Sequence, residues 1–586
     1  MLIISGILSV HSQISPMLRD KLGNRVYKDE IERYYITPQR IVWLSDTTGT
    51  RVANPEILLK KGDGQTYFGI DKEKVCQLKN SDVDTSGLIL DFGIELHGGI
   101  QITTATSNRL TPKIRIRFGE SVSETMSTVI GDGTTGLGGG ATNHHAMRDF
   151  EVRLPGYGTL NIGNSGFRFV RIDLVDPEAR VVFEEIRAVA VIRDIPYLGS
   201  FRCNDTLLNQ IWLTGAWTVH LNMQDYLWDG IKRDRMVWMG DMHPELMTIN
   251  TVFGYNDIIP RSLDFGRDNT PLPGWMNGIS AYSMWWIIMQ YDWYLYQGDL
   301  EYLKEQHTYL AGLLKLLMTK VDKDGKENMV NERRFLDWPS TNNKQGVHAG
   351  LQALMILSFQ RGASLCRTLE DADMAIQCEE MAVKMKQYIP DPNHSKQAAA
   401  LQALAGVIPA EKANREVISV DGAKDFSTFY GYYMLQAQAM AEDYQTGLDN
   451  IRQFWGSMLN LGATTFWEDF NLEWTVNAAG IDNIVPKGKK DIHRDFGRFP
   501  YLGLRHSLCH GWASGPTSWL SQHVLGISVM DPGCRTIRIE PHLCDLQWVE
   551  GTFPTPFGIL KVRHTKNEDG TIDSVVEAPE GVKIIQ

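Results

Sequence analysis

The chain has 586 residues, more than one hydrophobic core accommodates, so two to four domains are expected. Hydrophobic residues make up 43% and charged residues 22%, the composition of a soluble globular protein. A formal net charge of −12, with no run of lysines or arginines, argues against nucleic acid or an anionic membrane surface as a partner. The seven cysteines are scattered without a CxxC pair or zinc-type spacing and read as buried free thiols. No apolar stretch reaches the roughly 20 residues of a membrane-spanning helix.

The opening "MLIISGILSVHSQ" has a short apolar run without a basic segment before it, and reads either as a degraded signal peptide or as a first strand. The compartment stays nearly open, a periplasmic or secreted location being slightly favoured over the cytoplasm. From about 30 to 195, "LILDFGIELHGGIQITT", "KIRIRFGES", "FRFVRIDLVD" and "VVFEEIRAVAVIRDI" alternate in period two between turn signals, which predicts an antiparallel β-sandwich. The glycine-rich "GDGTTGLGGGATNHH" inside this region lacks the GK[ST] ending of a phosphate loop and reads as a flexible loop. Near 200 the period changes to 3.6, starting at "NDTLLNQIWLTGAWTVHLNMQDY", with Asn204 or Asp205 as N-cap. Seven further segments of this kind follow, the last being "PTSWLSQHVLGI", on the scale of a closed ring of helical hairpins. From about 527 alternation returns in "RTIRIEP", "GILKVRHT" and "SVVEAP", with a turn-rich "FPTPFG". The expected division is β-sandwich over 1–198, helical barrel over 199–526 and a small β domain over 527–586.

Within this β–α–β order, "LDFGIELHGGIQI" with "IRIRFGES", "RDRMVWMGD", "FLDWPS", "GATTFWE", "SLCHGWASGP" and "EPHLCDLQWVEGTFPTPFG" follow one another. Together they resemble glycoside hydrolase family 78, the α-L-rhamnosidases, over most of the chain from about residue 85. The resemblance implies a central (α/α)6 barrel flanked by antiparallel β-sandwich domains. It also implies inverting hydrolysis of terminal α-L-rhamnosyl residues, a rhamnose-containing glycan or glycoside as partner, and no cofactor. The family pattern R-D-E-R-x-x-W-x-G-D carries the general acid as its glutamate. Counted back from Trp238 that place holds Asp234; counted forward from Arg233 the glutamate has been lost. Anchoring on Trp238–Asp241 also puts Arg235 on the family's arginine and Asp229 near an upstream substrate-binding aspartate.

Inverting hydrolysis needs two carboxyls roughly 6.5–9.5 Å apart with water between them. The resemblance assigns Asp234 as acid and Glu468, of "GATTFWE", as base. Asp229 and Asp241 would raise the acid's pKa; Arg233 and Arg235 would oppose this if they pointed inward. Read without the resemblance, the charge run 229–245 is as well explained by a helix N-terminus with salt bridges to its own arginines, and Glu468 by a solvent-facing loop. His510 of "SLCHGW" matches a family histidine, and a satisfied core histidine is its rival reading. Sugars pack apolar C–H faces on aromatic rings, so Trp238, Trp338 and Trp467, inside the matched motifs, are the candidate wall. Asp337, beside Trp338, is a candidate for hydrogen-bonding sugar hydroxyls. Trp285, Trp286 and Trp293 lie in a helical run and are read as core. "PLPGWMNG" lacks the acidic residue that the family places after its Gly-Trp, and 471–505 is a longer insertion than the family's, expected to reshape the cleft. No metal constellation stands out, His144 and His145 being adjacent in sequence. Two rivals stay open: a barrel glycosidase for another sugar, a uronide among them, and a carbohydrate-binding protein without catalysis. Oligomeric state is not readable.

Overall fold

The structure, a computed structural model, describes residues 31–69, 71–107, 111–129, 139–499 and 501–586. The opening "MLIISGILSVHSQ" and residues 131–138 of the glycine-rich run lie outside them.

Residues 31–193 carry one antiparallel sheet of nine strands. Its longest members, Gly87–Ser107, Gly158–Leu174 and Arg180–Arg193, are neighbours, and Gly87–Ser107 pairs with both of the others. Register shifts between Asp91 and Leu96 and between Gly98 and Ile100 bend that strand, as an extra unpaired residue does. Leu88, Leu90 and Phe92 alternate into a core with Phe118, Phe167 and Ile172, which is the period-two pattern made physical.

Helices at Thr206–Asn222, Ser280–Gln297, Leu300–Met318, Lys344–Thr368, Ala372–Met385, Gly431–Met440 and Tyr444–Asn460 fall where the periodicity predicts them. Asp205, not Asn204, caps the first of these, its carboxylate accepting from the N–H groups of Leu207 and Leu208. Met242–Val252 and Lys396–Leu404 lie where the pattern predicts no helix. The first is buried at every residue and the second at all but its last, so neither shows a polar face to reveal its period. Ile258–Asp268 is also unpredicted, with Pro260 in its first turn. The predicted helix at 516–527 is a short α-turn, Gly515–Trp519, running into a π-turn, Leu520–Val524.

Strands Trp548–Thr555, Gly558–Lys566 and Ile572–Glu577 form a sheet whose fourth member is Ser200–Cys203, from the start of the helical region. The expected boundary at 199 therefore cuts off a strand that belongs with the C-terminal sheet. Phe553 and Pro554 of the "turn-rich" stretch lie within a strand, and the turn follows them. One hydrophobic core joins the helices to these strands, while the nine-stranded sheet keeps its own. All seven cysteines are free thiols, and six are buried. Among the described residues no helix is long and apolar enough to cross a membrane.

Candidate active site

Three stretches far apart in sequence lie side by side. Gly230 bridges His510, the N–H of Gly511 donates to the carbonyl of Asp229 at 2.9 Å, that of His510 to Phe466 at 2.9 Å, and that of Glu468 to Ser507 at 3.1 Å. Glycine at 511 is required by close approach: a Cβ there would stand 1.4 Å from Oε1 of Glu245. Gly240 has the same role for Tyr282, whose ring would meet a Cβ at 2.2 Å and whose hydroxyl donates to Oδ1 of Asp241 at 2.7 Å.

The charge run leads into a helix N-terminus, but it is self-paired only between Arg233 and Asp234. Helix Met242–Val252 begins within its last residues, and Asp241 at the N-cap makes no side-chain capping bond. Arg233 turns inward, donating to Glu468 and, at 3.2 Å, to Oδ1 of Asp234. Arg235 turns away, with its two terminal nitrogens on Asn164 at 3.0 Å each and its guanidinium over the Trp228 ring. Asp234 and Arg235 both adopt left-handed backbone angles, φ 56° and 57°. Each costs roughly 1–2 kcal/mol for a residue with a Cβ, strain that a packed surrounding must hold in place. That surrounding includes Asn277 of the "GWMNG" loop, which accepts from the N–H of Met239 at 2.9 Å and donates to the carbonyl of Val237 at 3.0 Å.

A cavity of about 180 Å³ opens over these residues, the liquid volume of about six waters, which is of the order of one sugar ring. Asp229, Arg233, Asp234, Trp238, Asp241, Trp338, Glu468 and His510 all line it, so eight of the ten predicted site residues come together. The other two do not line it. Trp467 is 1% exposed and packs edge-on to Phe470 in the core, while Glu468 beside it lines the cavity. Asp337 is buried behind Trp338, where Ser427 and Gln397 donate to its carboxylate. Trp285, Trp286 and Trp293 are core residues.

The cavity also takes Tyr282, Arg333 and Arg505, outside the matched motifs, and Phe335 of "FLDWPS" and Trp512 of "SLCHGWASGP", which are not singled out within them. Arg505, at the end of 471–505, lines the cavity, and Phe499 of the same stretch stacks 6.3 Å from Trp338. A further contact comes from the N-terminal sheet region: Nε2 of His145 stands 3.2 Å from Oδ1 of Asp234. A larger cavity, about 450 Å³, lies around Trp228 and Arg235, with Asp225 the only carboxyl among its lining residues.

Burial dominates the electrostatics. It pushes Asp229 well above the usual carboxylate range, with the charges of Asp234 and Asp241 adding, and does the same to Asp241 against the pull of the Tyr282 hydroxyl. Glu468 is pushed up to about 7 by burial, opposed by Arg233. Burial and then Arg233 hold His510 well below its ordinary value, so its ring is neutral. Its Nε2 stands 3.6, 3.8 and 3.5 Å from Asp229, Asp241 and Glu468, a cluster of hydroxyl partners compact enough also to hold a small cation.

These raised carboxyls set a pH dependence. A carboxyl whose folded pKa exceeds its unfolded value stabilises the fold fully below the unfolded value, and that contribution is lost as pH rises through the folded one. Wild type is expected to lose more melting temperature between about pH 5.5 and about pH 8 than Glu468→Gln does, since the buried histidines, His510 among them, act the other way in that range but are common to both. An equal loss, followed by Trp fluorescence, would mean that Glu468 is ionised in the folded state at both.

Residues 196–390 match the family model of the bacterial alpha-L-rhamnosidase six-hairpin glycosidase domain, and residues 526–585 that of the bacterial alpha-L-rhamnosidase C-terminal domain. An alpha-L-rhamnosidase of Alteromonas sp. (strain LOR) is 25% identical over 583 residues, covering 89% of this chain and 58% of its own. The crystal structure of a GH78 family rhamnosidase of Bacillus sp. GL1 superposes with a TM-score of 0.70 at 22% identity, over 88% of this chain and 54% of that one. The two matched domains are thus of bacterial alpha-L-rhamnosidase type, and the fold is that of the GH78 family rhamnosidase. The chain spans little more than half the length of those two relatives. A rhamnosidase from Klebsiella oxytoca, solved with rhamnose bound, shares the fold at a TM-score of 0.62 and 19% identity, over 84% of this chain and 95% of that one. Asp234, the residue expected as the acid when the motif is anchored on Trp238, stands on the cavity wall.

Proposed function

We propose that the chain is an inverting glycoside hydrolase that releases terminal α-L-rhamnosyl residues, with Asp234 as general acid and Glu468 as general base. The observation that carries this reading is the placement of the two carboxyls: both line one cavity, and each contacts a different terminal nitrogen of Arg233. In the reaction Asp234 gives its proton to the glycosidic oxygen as that bond breaks. Glu468 takes a proton from the water that attacks the anomeric carbon from the opposite face. Trp238, Trp338 and Trp512 offer apolar walls to the sugar's C–H face and methyl group, and Asp229, Asp241 and His510 offer hydroxyl partners. The six-hairpin family model supports an (α/α)6 barrel for the helices between 199 and 526, with the β regions 1–198 and 527–586 flanking it and Ser200–Cys203 assigned to the latter.

Proton NMR of 4-nitrophenyl α-L-rhamnoside hydrolysis tests the reading. The β-anomer of rhamnose is expected to appear first and mutarotate later, and the α-anomer appearing first would overturn inversion. A second reading, a glycosidase for an acidic sugar, draws on Arg233, Arg333 and Arg505, all on the cavity wall. Turnover of an aryl glycuronide without turnover of the rhamnoside would favour it.

A further inference from the structure

The cavity over Asp234 and Glu468 measures about 180 Å³, of the order of one sugar ring. A glycoside carries a second group on its anomeric oxygen, so once the sugar is seated that group has to lie beyond the cavity. One wall leads outward as a row of aromatic rings. Phe335, 3% exposed, is the buried end of the row. Its ring meets that of Trp338 edge-on, 5.0 Å between centroids, and Trp338 is half-buried on the cavity wall. Phe499, half-buried and just beyond the cavity lining, continues the row, its ring 6.3 Å from that of Trp338 at 30°. Arg333, an exposed residue, holds its guanidinium 5.7 Å from the Trp338 ring and 5.8 Å from that of Phe335. The row thus runs from the interior of the cavity to the surface, with a cation beside it.

Phe499 is held in place by the fold. It sits at the tip of a hairpin in which Gly497 pairs with Leu502 and Arg498 with Tyr501. Its φ is 59°, a left-handed conformation that costs a residue with a Cβ roughly 1–2 kcal/mol and is an outlier for a bulky one. Such strain persists only where the surroundings fix it. At the base of the hairpin the N–H of Gly503 donates to the carbonyl of Phe496 at 2.8 Å, and the N–H of Leu504 to that of Gly139 at 2.9 Å. The Arg498 guanidinium lies 5.6 Å from the Trp474 ring, which itself stacks on Phe496 at 5.6 Å.

We propose that Trp338 and Phe499 form the subsite for the leaving group, and that this group is a ring with an apolar face, either a second sugar or an aryl group. Its face packs on the two aromatic rings, and Arg333 offers donors to its oxygens. This rests on the reading of the cavity as the site of the rhamnosyl ring. Phe499 is then a specificity-determining residue that acts on what the rhamnosyl ring is attached to, not on the ring itself.

The test compares wild type, Phe499→Ala and Phe499→Tyr. The substrates are 4-nitrophenyl α-L-rhamnoside and 6-O-α-L-rhamnosyl-D-glucose, and L-rhamnose and methyl α-L-rhamnoside serve as competitive inhibitors without a ring to place on Phe499. Phe499→Ala is expected to lower kcat/KM about tenfold where the leaving group is a ring, the scale of one ring contact. The Ki values of L-rhamnose and methyl α-L-rhamnoside should stay within about twofold. Phe499→Tyr, which keeps the ring, is expected to keep the wild-type kcat/KM. A loss on the disaccharide alone assigns the subsite to a sugar, a loss on the aryl glycoside alone to an aryl group, and a loss on both to either. Unchanged kcat/KM on both substrates overturns the proposal. An equal rise in the Ki of L-rhamnose also overturns it, since Phe499 would then only prop Trp338 within the cavity. A wild type that neither binds L-rhamnose nor cleaves either rhamnoside overturns the reading of the cavity, and this inference with it.

Discussion

Replacing Glu468 by Gln is expected to lower kcat roughly a thousandfold, within the range that positioned acid–base groups contribute, while leaving the fold nearly unchanged. The side chain is 2% exposed, and Gln preserves its shape and its bond from the N–H of Ser507 at 3.2 Å. The water would lose the group that takes its proton. Azide needs no such help, so azide is expected to restore turnover and give β-rhamnosyl azide. No rescue, or only a few-fold loss, would remove Glu468 from the base role. In wild type the base must be ionised, and its pKa is pushed up to about 7, so kcat/KM should rise with pH through that value. Asp234→Asn should show a different signature, a loss that grows as the leaving group becomes poorer.

The sequence pattern made much of this legible where a physical period or a motif existed. Alternation marked the long strands around Leu88–Phe92 and Phe167–Ile172, and the 3.6 period marked the amphipathic helices. Both failed where burial is complete: Met242–Val252 has no polar face, so nothing in its residues announces a helix. The motifs brought Asp234 and Glu468 to one cavity but could not say which side of the chain each neighbour takes, which is why Trp467 and Asp337 turned out to lie behind the wall. His145 carried no signal at all. It follows a run of glycines without periodicity, and its partner is 89 positions away in sequence, a pairing that only the fold creates.

Replacing Lys232 by Met is expected to destabilise the protein by about 3–5 kcal/mol at pH 8, the usual cost of leaving a buried charge without its partner. The ammonium is buried between the two regions of the chain. It pairs with Glu120 at 2.9 Å and Glu124 at 3.4 Å from the nine-stranded sheet and its following turn, and donates to the carbonyl of His506 at 2.6 Å on the site side. Burial works against the charge on Lys232, yet the two glutamates hold its pKa above the ordinary lysine value. Glu120 is itself pushed up to about 7 by burial, against the pull of Lys232. In Lys232→Met it should keep a proton to higher pH, so the deficit should shrink as pH falls to about 5.5. Adding Glu120→Gln should recover part of the loss at pH 8, since the second variant removes the stranded charge. Urea denaturation of the two single variants and the double variant at both pH values decides it. Because Glu120 also accepts from the N–H of Leu508 at 2.6 Å, the same cluster fixes the stretch that carries His510 and backs Glu468. A Lys232→Met variant as stable as wild type at pH 8 would mean that water reaches the two glutamates, and that the sheet does not brace the site through this ion cluster.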